Sequence, residues 1–359
     1  FVKLILKINF VNQFTMKIIL KELSMQKAVL FIFLIFIGVS LNAQNTSSDE
    51  IIKKGVSLFD ENKYEDALKM YKMVHENDSN YTYMLTEMAL CYLQMEKYDS
   101  AIIIANKGLV EPSGYRQHLL RTKGTSYDYS GNPVKAIETY NEAIKSYPYS
   151  YQLYYNLGIT YLNQKNYSKA QECFQDALRC NAYHSSSHMH LGMLMARQGL
   201  ITKAILSLET FLALEPSSNR SNSILVYLEN LVSGVRDTSM GQFIDPITEN
   251  SLFEDVDNLI NSKVALSSRY KSAIDFDASI VRQTQLLLES LPYNSESGDF
   301  WAQLYFPFFK EIKDGEHLEP FLYTILRSSG RESVVKYQKK NEKTLKEFYN
   351  TGSKLSTIG

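Results

Sequence analysis

The sequence predicts an all-α protein: an α-solenoid of five helix-turn-helix repeats closed by a cap helix, followed by a second all-helical region. Three observations predict it. First, the stretch Tyr154, Leu157-Gly158, Tyr161, Tyr167, Ala170, Phe174 and Ala177 returns 34 residues later as His188, Leu191-Gly192, Met195, Ile201, Ala204 and Leu208, with Pro216 after it. Second, two columns of small residues keep step along the chain. Gly55, Ala89, Gly124, Gly158 and Gly192 are 34, 35, 34 and 34 apart, and Ala67, Ala101, Ala136, Ala170 and Ala204 repeat those increments. Third, beyond residue 250 the period stops while apolar residues still recur at helical spacing.

A period of this length is one pair of amphipathic helices that cannot bury its apolar faces alone and must stack on its neighbours. The small columns fall where the two axes of a pair approach most closely. The order aromatic-x2-Leu-Gly-x2-Tyr, Ala-x3-Phe and a late Pro resembles the tetratricopeptide repeat (TPR) family. That resemblance implies a TPR α-solenoid used for binding.

Residues 1–43 are expected to be upstream residues and a signal peptide, because the chain opens on Phe1 and Met25 is the better start. After Met25, Gln26-Lys27 is a short positive region, Ala28 to Leu41 an apolar run, and Leu41-Asn42-Ala43 before Gln44 a processing site. The alternative is an uncleaved anchor, but the run is shorter than the ~20 residues a spanning helix needs. The solenoid is placed at 48–234. Repeat one covers about Ser48 to Tyr81, with Tyr64 and Ala67 packing its second helix and Tyr71 expected to reach towards the next repeat. Repeat two, to Gly114, carries Ala105 and Gly108 where larger residues are usual and Pro112 one position early, so a local distortion is expected there. Repeat three, about Gln117 to Ser150, has the loop signal Gly131-Asn132-Pro133, in which Pro suits the first turn of a helix. Repeats four and five follow. Asn219 to Ser233, apolar at Ile224, Leu225, Tyr227, Leu228 and Leu231, is the cap.

Residues 235–250, with Gly241 and Pro246, form a linker in this reading, and 251–350 a C-terminal helical domain. There Ser251-x-x-Glu254 suggests a capping box, and Leu252, Phe253, Val256, Leu259, Ile260 and Val264 an apolar stripe. Further helices are expected at about 277–291, 299–313, 317–328 and 331–349. The segment Phe300 to Phe309 holds the only Trp, Trp301, and is apolar on most sides, which predicts burial.

The net charge of −1 gives no polyelectrolyte signal, so no nucleic-acid partner is expected. A membrane association is expected only through an uncleaved N-terminal segment. No nucleophile elbow, phosphate loop, dinucleotide fingerprint or HExxH sequence occurs, so no catalytic residues, cofactor or small-molecule substrate are assigned. His184, His188 and His190 are the only cluster of metal-capable residues, but His188 and His190, two apart on a helix, diverge. No metal site is assigned, and the histidines read as turn and groove residues. Cys91, Cys173 and Cys180 read as free thiols, since Cys173 and Cys180 lie roughly 10 Å apart along one helix.

The TPR resemblance implies a concave groove lined by the first helix of each repeat. Its positions fall on Arg121, Thr125, Tyr129, Gln152, Tyr155, Asn156, Asn163, Met189, His190, Met193 and Arg197. Tyr offers contact area with a polar tip and Met adapts its shape, which suits a peptide or partner helix. Some family members clamp a terminal carboxylate with Lys, Asn and Arg. The matching residues here are Arg121, Thr125, Asn156, Ser186 and His190, a set with less positive charge. The function expected is a non-enzymatic protein-protein interaction scaffold, exported to the periplasm or cell envelope, that binds a peptide or protein partner. The alternatives are a structural subunit of a cell-envelope complex, or an enzyme with its active site in the C-terminal helices.

Overall fold

A computed structural model describes residues 47–235, 244, 252–272, 274, 276–293, 298–315 and 317–351. Seventeen α-helices and two short 3-10 turns, and no strand, are found among the described residues. Residues 1–43, with the expected signal sequence, lie outside them, as does most of the expected linker. No helix among the described residues is long and apolar enough to cross a membrane. The chain divides into two compact units, residues 1–91 and 92–359, with the division inside the third helix.

The first unit holds α1 (Ser48–Asp60), α2 (Tyr64–Tyr71) and most of α3 (Tyr81–Gln94). The Ser47 hydroxyl caps α1 by accepting from Glu50 N–H at 3.3 Å. Asn80 then ties the start of α3 to the start of α1, donating to Ser48 Oγ at 3.2 Å and Asp49 Oδ1 at 2.7 Å. The second unit continues with α4 (Tyr98–Gly108), α5 (Arg116–Tyr129), α6 (Pro133–Ser146), α7 (Tyr151–Asn163), α8 (Tyr167–Cys180), α9 (Ser185–Arg197), α10 (Ile201–Leu214) and α11 (Asn219–Ser233). The second helix of repeat two, α4, has 11 residues, whereas α6, α8 and α10 have 14 each. The second helix of repeat one, α2, is shorter still at 8 residues, so helix length alone does not mark the distortion expected around Pro112.

The turn within each repeat is built the same way five times. Asn62, Glu96, Gly131, Lys165 and Gly199 keep the repeat spacing and all lie in the left-handed region, with φ of 60°, 58°, 79°, 58° and 75°. The N–H of the next residue reaches the carbonyl five positions back: Lys63 to Leu58, Lys97 to Tyr92, Asn132 to Tyr127, Asn166 to Tyr161 and Leu200 to Met195, at 2.8–3.0 Å. This closure satisfies carbonyls that a helix end would otherwise leave unpaired. Asn132 and Asn166 also cap the following helix, each accepting from the backbone three residues on at 3.3 Å.

The small columns sit where the helices cross. A Cβ added at Gly124 would lie 2.5 Å from the Tyr140 ring, at Gly158 2.7 Å from Phe174, and at Gly192 2.7 Å from Leu208, while at Gly55 it would meet Tyr71 still more closely. In each case the partner is 16 residues later on the second helix, and Ala67, Ala101, Ala136, Ala170 and Ala204 are all fully buried.

After α11 come α12 (Glu254–Asn261), α13 (Ser279–Ser290), α14 (Phe300–Asp314), α15 (Leu318–Ile325), α16 (Glu332–Lys340) and α17 (Glu342–Thr351). They do not close a core of their own. One cluster of buried side chains runs from Ala170 and Phe174 on α8 through α9, α10 and α11 to Phe253, Trp301, Phe309, Phe321 and Phe348. Every residue of α10 from Ile201 to Leu212 is buried. Polar bonds join the two sides of the expected linker. Asp257 Oδ1 accepts from Thr202 N–H at 2.7 Å, and the buried Gln283 amide donates to the Val232 and Ile260 carbonyls, both at 3.1 Å. The residues drawn as linker, 235–250, are therefore flanked by helices that share one apolar core.

Two local expectations change. Helix α12 begins at Glu254 with Phe253 at its cap position and no side-chain cap bond, while Ser251 lies outside the described residues. The single helix expected at 331–349 breaks at Asn341, φ −115° and ψ 30°. There the Asn side chain donates to the Tyr337 carbonyl at 3.1 Å, competing with the helical backbone, and the Asn341 carbonyl starts α17 by accepting from Leu345.

Candidate functional site

The expected groove residues stand on α5, α7 and α9, the first helices of repeats three to five. Most of them are half-buried, and Tyr129 and Asn163 are exposed. A 34-residue step places equivalent positions side by side, so hydrogen bonds form between repeats. Thr125 Oγ1 donates to the Arg121 carbonyl at 3.0 Å, and so accepts from Tyr140 OH at 2.9 Å and from the Asn156 amide at 3.3 Å. One helical turn on, the Thr160 hydroxyl lies 3.0 Å from Asp128 Oδ2 and 3.1 Å from the Asn156 carbonyl and shares its proton between them. Burial raises the Asp128 carboxyl and this bond opposes the rise. Gln152 accepts from Ser150, which accepts from Gln117 at 2.7 Å. Arg121 forms no ion pair among the described residues and is half-buried beside this network.

A second group is aromatic. The Tyr155 ring meets His184 edge-on at 4.8 Å and His190 at 5.8 Å, and His190 stacks on Phe174 at 5.6 Å with the planes 17° apart. Burial, then the nearby Arg220 charge, lowers His184 and His190 to about 4. Both rings are neutral at pH 7 and can accept or donate one hydrogen bond each. Met189 and Met193 pack at the edge of the main core. Arg197 lies over the Tyr167 ring at 5.1 Å and donates to its hydroxyl at 3.3 Å. Tyr129 meets Tyr98 edge-on at 5.9 Å, and Asn163 is exposed at the C-terminal end of α7.

The sequence reading missed Arg220. It donates to Glu215 Oε1 at 2.6 Å, Ser186 Oγ at 2.9 Å and Ser185 Oγ at 3.2 Å, and it holds the Glu215 carboxyl at about 2. Arg220 is 34 residues beyond Ser186, so extending the repeat ruler into the cap helix would have found it. The positive charge that a carboxylate clamp would carry at Ser186 thus comes from α11, already paired with Glu215.

His188 departs from the expected groove role. It is fully buried and faces α14, with Nε2 2.9 Å from the Ala182 carbonyl and Nδ1 2.9 Å from Tyr305 OH. The carbonyl fixes the proton on Nε2, so Nδ1 accepts from Tyr305, whose oxygen accepts in turn from Ser207 at 3.0 Å. Burial lowers His188 to about 4. His184 and His190 flank Tyr155 while His188 enters the core, and no metal-holding group of three exists among the described residues. Cys91 and Cys173 are buried free thiols pushed up to about 12 by burial, which leaves them protonated and unreactive.

Tetratricopeptide repeat family models match residues 122–150 and 139–172. Those models cover residues 122–172, within repeats three and four, and with the five-fold spacing, the helix pairs and the small-residue crossings the fold is that of a tetratricopeptide-repeat α-solenoid. No curated protein matches it. Among solved structures it is similar to TTC0263, a thermophilic TPR protein of Thermus thermophilus, at 16% identity over 52% of this chain and 100% of that one, with a TM-score of 0.43. MamA residues 41-end from Desulfovibrio magneticus RS-1 match at 19% identity over 48% and 96% of the chains, TM-score 0.38. YrrB, described as a TPR protein with an unusual peptide-binding site, matches at 18% identity over 50% and 92%, TM-score 0.36.

Proposed function

We propose that this protein is a non-enzymatic scaffold that holds a peptide or protein partner against α5, α7 and α9. The observation that supports it is the mixture on those helices. Arg121, the Thr125 and Asn156 bond network, and the Tyr155 and His190 rings offer charge, hydrogen bonding and apolar area on fixed helices, and most are only half-buried. Aromatic and Arg side chains are the residue types that most often dominate interface energies. The C-terminal helices are a structural buttress in this reading, because Trp301, Tyr305, Phe309 and Phe321 are consumed by the core. The apolar run before Ala43 supports export, which the intact mass of the mature protein would test: a species retaining Ala28 to Leu41 means an anchor.

The binding test is quantitative capture of the native-source partner by the full chain and by Arg121→Ala with Tyr155→Ala. The proposal expects at least a tenfold loss of affinity, about 1.4 kcal/mol, with an unchanged circular-dichroism melt. Undiminished capture by the double variant would overturn the assignment to these helices.

A further inference from the structure

We propose that Glu209 is a neutral carboxylic acid in the folded protein, and that packing the C-terminal helices onto repeat five takes up one proton at this side chain. Glu209 lies on α10 and is fully buried. Its Oε1 meets the hydroxyl of Thr284 on α13, and its Oε2 has no hydrogen-bond partner.

Thr284 supplies the geometric argument. Its Oγ1 also lies 2.7 Å from the Ile280 carbonyl one turn back. A hydroxyl has one proton, and two acceptors compete for it if Glu209 is ionised. If Glu209 carries a proton, the conflict disappears: the acid donates to Thr284 Oγ1, and Thr284 donates to Ile280. The neutral form also spares the cost of a buried anion without a counter-charge, which is far larger than that of an unpaired neutral oxygen.

The charges nearby do not alter this. His188 of α9, Lys203 on α10 itself, Glu229 of α11, Asp257 of α12, Arg282 of α13, Tyr305 of α14, which bonds Ser207 of α10, and Tyr323 of α15 are titratable groups on the helices packed around α10. None acts on the Glu209 carboxyl, whose affinity for protons is set by burial and opposed only by the Thr284 contact. Lys203 is directed elsewhere, over the Trp301 ring at 5.5 Å. Burial raises Glu209 from 4.5 to about 8.

The sign follows from the raised value. Between about pH 4.5 and pH 8 the folded chain holds the proton and the unfolded chain does not, so stability falls as pH rises and levels off above pH 8. The buried histidines act only below their unfolded value of 6.5, so the interval just above pH 7 isolates Glu209. The docking of α12 to α15 is therefore proton-linked, and the Glu209 contribution weakens as pH rises through 7 and 8.

The full chain can be tested with its single tryptophan, Trp301, which reports on this core. Urea unfolding followed by its fluorescence should show the folding equilibrium constant falling about fivefold between pH 7 and pH 8, and Glu209→Gln should remove that fall. A second measurement needs no variant. An infrared titration of the wild-type chain should show a protonated-carboxyl C=O band at pH 7 that disappears with a midpoint near 8. Absence of that band at pH 7, or an identical pH slope in Glu209→Gln, would overturn the proposal.

Discussion

Replacing Gly158 by Ala tests the repeat geometry at one atom. In an ordinary helix interior this change stabilises by about 1 kcal/mol, since Ala is the best helix former and Gly nearly the worst. Here the new Cβ would lie 2.7 and 2.9 Å from two carbons of the Phe174 ring and 3.2 Å from Cys173 Cβ. The ring has nowhere to go, being fully buried with His190 stacked on it and Tyr155 6.1 Å away. Overpacking of this kind costs roughly 1–3 kcal/mol, enough to reverse the propensity gain, and Gly158→Leu should cost still more. We expect Gly158→Ala to destabilise by up to about 2 kcal/mol in urea unfolding followed by circular dichroism, once the propensity gain is subtracted. Gly114→Ala, with open space around the added atom, should stay within about 0.5 kcal/mol of wild type. Combining Gly158→Ala with Phe174→Ala should show a favourable coupling of about 1 kcal/mol or more. A Gly158→Ala protein stabilised by about 1 kcal/mol, as propensity alone would give, or a cycle with no coupling, would refute the crossing argument.

Other substitutions read other links. Lys165→Gly relieves a left-handed non-glycine residue and should raise the unfolding free energy by up to about 1 kcal/mol, whereas Gly199→Ala should lower it by about the same amount, both read in urea unfolding. Gln283→Leu removes one donor each from the Val232 and Ile260 carbonyls, which keep Lys263 Nζ at 3.0 Å and Lys263 N–H at 3.2 Å, and should cost about 0.5–1.5 kcal/mol per lost bond, read in urea unfolding followed by Trp301 fluorescence. His188, at about 4 in the fold against 6.5 unfolded, leaves the unfolded chain to bind the proton first. Stability should therefore be lost as pH falls from about 6.5 towards 4, by up to about 1.4 kcal/mol per unit from this residue, and His188→Gln should flatten that limb of the urea-midpoint profile.

The repeats were legible because each constraint recurs. The same crossing demands a small residue every 34 positions, and the same left-handed turn recurs at Asn62, Glu96, Gly131, Lys165 and Gly199, although only two of the five are glycines. What lay beyond the period was harder to read. Arg220 sits one repeat length beyond Ser186, so its column was readable, but its bonds to Ser185, Ser186 and Glu215 were not, because the cap helix has no second helix in pattern to mark it as a sixth repeat. His188 occupies the column held by Tyr154 in repeat four, and its direction is set by Tyr305, 117 residues away. The continuity of the core across residues 235–250 was hidden for a related reason: burial of α10 on all sides shows in sequence only as a helix rich in Leu and Ile, and nothing local names the helices that cover it.

The proposed role turns on which helices meet the partner. Hydrogen exchange of the full chain with and without its captured partner measures that directly. The account predicts added protection on α5, α7 and α9, centred on Arg121, Tyr155 and His190, with α12 to α17 unchanged. Protection confined to α12 to α17, with α5, α7 and α9 exchanging as in the free protein, would contradict it.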